Sequence, residues 1–109
     1  MLDTTPLTAA VERFADRLRS TPQSRLQRGV AAEALAVARD LAARAQRIES
    51  PGREPRVMPD AGMFTVGDQV AVAGRDLAVA LETASSGELD EAVRYVEEAA
   101  ERTFARSGF

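Results

Sequence analysis

The segment PQSRLQRGVAAEALAVARDLAARAQRIE, residues 22–49, decides how this chain is read. Leu26, Val30, Ala34, Val37, Leu41, Ala45 and Ile48 recur three or four residues apart, the spacing of one face of an α-helix. Ala31, Leu35, Ala38 and Ala42 form a second strip beside that seam, so this helix is expected to touch two partners. Gly29 interrupts the pattern at a cost of about 1 kcal/mol relative to Ala. Either another helix crosses closely there, or the true helix starts after it.

Three more helices fit around this one, near 6–19, 65–84 and 87–106. In the first, Leu7, Val11, Phe14 and Leu18 make a single apolar stripe. The third is the least polar. Val66, Val70, Ala73, Leu77, Ala80, Leu81 and Ala84 share one face, and Gly67, Ala71, Gly74 and Ala78 make a groove of small residues beside it. Val72 and Val79 lie on its far side. A helix apolar nearly all round is a buried one, which puts the third helix at the centre of the fold or of a dimer. The fourth is one-sided, with Leu89, Ala92, Val93, Val96, Ala100 and Phe104 facing in.

Punctuation supports these limits. Thr5-Pro6 and Thr21-Pro22 read as an N-cap followed by Pro at the first helical position. Ser85 with Glu88 has capping-box spacing, and Thr65 with Asp68 is a variant of it. Few runs alternate with period two, so strands are not expected. The fold class is therefore all-α: a four-helix bundle with a long second helix and an ordered Pro/Gly-containing loop. The 109 residues make one helical domain, 1–109.

That loop, Ser50 to Phe64, holds Pro51, Gly52, Pro55, Pro59 and Gly62, which exclude a continuous helix. Its Val57, Met58, Met63 and Phe64 are too apolar for a free linker. Two roles are open: a lid on the end of the bundle, or a binding loop in which Arg53, Arg56, Val57, Met58, Met63 and Phe64 meet a partner.

Composition excludes a good deal of chemistry. There is no Cys, His or Trp, and all 14 basic residues are Arg. Disulfides, Cys/His zinc sites, imidazole catalysis and amine nucleophiles are thereby removed. No catalytic, cofactor or metal residues are assigned. Glu97, Glu98 and Glu101 read as the solvated side of the fourth helix. Neither Gly67 nor Gly74 follows a strand, so no phosphate loop is read there.

The net charge of −3 argues against nucleic acid, whose binding rests on phosphate neutralisation. A helix-turn-helix would need a short recognition helix, and the second helix is too long for one unless Gly29 divides it. No signal-peptide pattern or membrane span is read, so the expected location is cytoplasmic.

Opposite the seam of the second helix run Arg25, Arg28, Arg39 and Arg47, with Ala32, Ala36 and Ala43 between them. This strip suits carboxylates or a partner helix. A globule of this size has a diameter of about 34 Å, whereas a straight helix over 22–49 extends about 42 Å. Part of its apolar surface is then expected to lack an intrachain neighbour. A homodimer follows, packed through Ala31, Leu35, Ala38, Ala42, Val72 and Val79. The function expected is a non-enzymatic protein-interaction or adaptor domain. The alternatives are a nucleic-acid regulator using the Arg strip, or a small-ligand carrier with a pocket under the 53–64 loop.

Overall fold

A computed structural model describes residues 1–105, and these are all-helical, with no strand among them. Helix α1 spans Thr5–Arg19. The second helix is built from three pieces in sequence: α2 (Gln23–Arg25), a π turn (Leu26–Val30) and α3 (Ala31–Glu49). A 3₁₀ turn (Met63–Thr65) leads into α4 (Val66–Leu81), and α5 covers Ser86–Ala105. The four-helix bundle with a long second helix is therefore present, with α4 and α5 as its third and fourth helices. The expected last residue of the fourth helix, 106, lies outside the described residues.

The long helix is bent at Gly29, whose φ of 129° is not helical. An L-residue rarely adopts that conformation, so glycine permits the bend. No neighbouring atom lies within 4 Å of where a Cβ would sit, so close packing is not its reason. Gly74 is the opposite case. A Cβ on it would fall 2.6 Å from Val11 Cγ2, so the absence of a side chain lets α1 approach α4.

Only some of the caps form as read. The Ser85–Glu88 capping box closes both ways, Glu88 N–H donating to Ser85 Oγ (3.2 Å) and Ser85 N–H to Glu88 Oε2 (3.0 Å). Thr5 is not the N-cap but the first residue of α1. Its amide and hydroxyl both donate to Asp3 Oδ1, which holds that carboxyl below its ordinary pKa. Thr21 closes α1 rather than opening the next helix, its hydroxyl donating to Arg17 O (2.7 Å). Thr65 gives α4 no side-chain cap and donates to Gly62 O instead.

Helix α4 packs most extensively against α3, then against α1; α5 lies against α1 and, more lightly, α3. The central position expected of the third helix is thus occupied by α4. Leu7, Phe14, Leu41, Leu77, Val70 and Val96 are among the fully buried side chains of one continuous core. Phe14 and Phe104 meet edge-on at 6.1 Å, joining α1 to α5. The amide of Leu2 donates to Glu82 O, clipping the start of the chain to the end of α4.

The shape departs from the expected sphere, with extents of 41 × 26 × 18 Å and a radius of gyration of 13.6 Å. This elongation removes the premise drawn for the second strip of the long helix. Leu35 and Ala38 are buried, and Ala31 and Ala42 pack half-buried on the same core. They find cover within the chain, where α4 is the main neighbour of α3. These four residues therefore do not form a bare strip. Ile48, at the end of the seam, is 41% exposed.

Candidate functional site

The connector between α3 and α4 is fastened by side chains of both helices. Gln46 holds Arg56 twice: its Oε1 accepts the Arg56 amide (2.8 Å) and its Nε2 donates to Arg56 O (3.2 Å). Arg39 Nε donates to Met58 O (2.8 Å), and Gln69 Nε2 donates to Pro59 O (2.9 Å). Asp60 Oδ1 accepts the Gly62 amide, shaping the turn where Gly62 adopts a φ of 99°. A segment without helix or strand is held in one path because its backbone groups find side-chain partners.

This path divides the apolar residues of the loop. Met58 and Met63 are half-buried and packed on the core, in the manner of a lid. Val57 and Phe64 turn outward, 75% and 71% exposed. Arg53 and Arg56 are exposed beside a polar hollow of about 450 Å³ that Gln46, Glu49 and Glu54 also line.

The Arg strip of the second helix is dispersed. Arg25 and Arg28 precede the bend at Gly29, so they leave the helical line that carries Arg39 and Arg47. Arg25 is half-buried, and Arg39 is engaged on the loop through Met58. Arg28 and Arg47 are exposed.

On α4 the two valines of the far side stand in the open, Val72 at 52% and Val79 at 56% exposure. Phe64 sits just before the same helix. Charges flank the valines: Arg19 of α1 pairs with Asp68 (2.9 Å), and Arg75 pairs with Glu12 of α1 (3.7 Å). Asp68 raises the pKa of Arg19 above its ordinary value through that hydrogen bond.

Among the hollows with apolar walls, two lie against the long helix. One, of about 450 Å³, lies in the crook of the Gly29 bend, between Leu26, Ala31, Leu35, Met63 and Val66. Of the loop residues expected to line a pocket, Met63 lines this one. The other, of about 360 Å³, opens between α3, α4 and α5 beneath Asp40, Arg44 and Glu91.

Above that second hollow is a cluster the sequence reading missed. Arg44 pairs with Asp40 (2.8 Å) and reaches Glu91 (3.8 Å), while its guanidinium lies 4.1 Å over the Tyr95 ring. Burial, then the charge of Asp40 and a hydrogen bond with it, push the Tyr95 phenol up to about 12. The i,i+4 spacing of Asp40 and Arg44 was a legible signal; the meeting with Tyr95 and Glu91 depends on helix packing. This cluster ties α3 to α5. No group of three or more Asp or Glu among the described residues is placed to hold a metal ion. No helix among them is long and apolar enough to cross a membrane.

Comparison with known protein families, with curated proteins and with solved structures finds no match to this chain.

Proposed function

We infer that this protein is a non-enzymatic interaction module that acts as a homodimer. The observation that carries this reading is the outer face of α4. Val72 and Val79 are more than half exposed on the helix that otherwise contributes most to the core, and Phe64 stands bare at its start. Apolar side chains grouped on one face favour a partner, and self-association is the simplest closed arrangement. The packing strip narrows from the six residues first named to Val72 and Val79, since the four on α3 are covered within the chain.

The absence of His, Lys and Cys supports a non-catalytic role, because it leaves carboxylates alone as bases. A cysteine-free chain held by packing fits a cytoplasmic setting, where disulfides do not persist. The dispersal of Arg25, Arg28, Arg39 and Arg47 removes the continuous basic line on which a nucleic-acid reading would rest.

Sedimentation equilibrium tests the reading. Wild-type protein at tens of micromolar is expected to sediment as a dimer, and Val72→Glu or Val79→Glu as a monomer with unchanged helicity. A wild-type monomer under those conditions overturns it. A second reading, a small apolar ligand in the crook at Gly29, is favoured by the size of that hollow, which falls within the range of ligand sites. Ligand-dependent melting tests it.

A further inference from the structure

We propose that two copies pair through antiparallel α4 helices about a two-fold axis beside Val72, with Arg75 of each copy paired to the partner's Asp68. This proposal rests on the self-association reading and adds its geometry.

The argument starts from positions along α4. Val72 and Val79 are seven residues apart, two helical turns, and so lie on one line. Asp68 and Arg75 are also seven apart and lie on one flank of that line, the flank next to α1, where Arg19 and Glu12 meet them. Asp76 lies on the other flank.

In a face-to-face antiparallel pair related by a two-fold axis, each flank meets the same flank of the partner. The charges then choose the register. An axis midway between Val72 and Val79 would set Arg75 against the partner's Arg75 and Asp76 against the partner's Asp76, which repel. Sliding the axis to Val72 sets Arg75 against the partner's Asp68 instead. Val72 meets the partner's Val72, and Val79 comes to the level of the partner's Thr65 and Phe64.

This register covers both bare valines of the face and brings Val79 level with the partner's exposed Phe64. It also joins the existing pairs into an alternating run: Glu12, Arg75, the partner's Asp68 and the partner's Arg19. Symmetry makes two such runs. Opposite charges aligned in this way set register as well as adding attraction. A parallel pair would put Asp68 opposite the partner's Gln69 and leave Phe64 and its mate on opposite flanks.

Because the chain has no cysteine, single-cysteine variants read the register directly. Val72→Cys is expected to form a disulfide-linked dimer under mild oxidation, since each copy of residue 72 meets the other. Val79→Cys is expected to stay unlinked, because its two copies lie about 20 Å apart along the helix axis, far beyond disulfide reach. Cross-linking of Val79→Cys, or failure of Val72→Cys in a protein that sediments as a dimer, overturns the register while leaving self-association standing. A wild-type monomer overturns both.

Charge reversal supplies a second reading. Asp68→Arg and Arg75→Asp are each expected to weaken self-association about tenfold by placing like charges together. An equimolar mixture of the two is expected to recover wild-type affinity, because the mixed dimer restores both cross-pairs. Absence of that recovery overturns the proposed pairing.

Discussion

Gly74 of α4 lies directly against Val11 of α1, so closely that even a methyl group on residue 74 would overlap the valine side chain. The central helix of this bundle is thus fitted to its neighbour by the lack of a side chain. Gly74→Ala is expected to destabilise the protein by about 1–3 kcal/mol through overpacking, despite the better helix propensity of Ala. Urea denaturation measures this. Adding Val11→Ala to Gly74→Ala is expected to cost less than the sum of the two single changes, since the smaller residue makes the missing room.

At Gly29 the expectation has the same sign for a different reason. There is open space around the missing Cβ, yet φ is 129°. Were the long helix straight, Gly29→Ala would stabilise by about 1 kcal/mol from propensity alone. With the bend, the same change is expected to destabilise by roughly 1–2 kcal/mol, because Ala is strained in that conformation. The sign of the shift in melting temperature separates the two geometries.

Release of the loop is expected from Gln46→Ala. It removes both side-chain hydrogen bonds to Arg56 and leaves that backbone to water. Because the bonds are exposed, the loss of global stability is expected to be small, about 0.5–1.5 kcal/mol. Limited proteolysis by trypsin is the sharper measurement, with faster cleavage after Arg53 or Arg56 than in the wild type.

Tyr95 is the only tyrosine and there is no tryptophan, so phenolate absorbance reports this one group. Its ionisation is expected near pH 12, against about 10 for an unfolded chain. The folded state holds the phenolic proton more tightly. The contribution is therefore fully present below pH 10 and is lost as pH rises from there towards 12. Tyr95→Phe is expected to abolish this dependence while keeping the ring under Arg44.

Much of the fold was legible because helical periodicity is local. Ser85 and Glu88 carry a two-way signal and formed the expected box. Thr5 and Thr21 carry a one-way signal, and nearby groups changed its meaning: Thr4 stands at the N-cap of α1 while Asp3 accepts the Thr5 amide and hydroxyl, and Arg17 O takes the Thr21 hydroxyl. Leu35 and Ala38 were correctly read as apolar, but periodicity does not say which neighbour covers them. Val72 and Val79 could be placed off the core face from spacing alone. The tethers from Gln46, Arg39 and Gln69 could not, because they depend on the path of an irregular segment.

The loop fastening also bears on the order in which the bundle assembles. Helices α3 (ending at Glu49) and α4 (starting at Val66) are joined by one connector stapled to both, so their docking closes a smaller ring of chain than the docking of α1 on α4 does. By contrast, α1 must find α4 across some fifty residues, and chain closure over such a distance is slow to be rewarded. The α3–α4 hairpin is therefore expected to form first, with α1 arriving late. Truncating Val11 should mainly hasten unfolding, whereas truncating Leu41 or Leu77 should slow refolding.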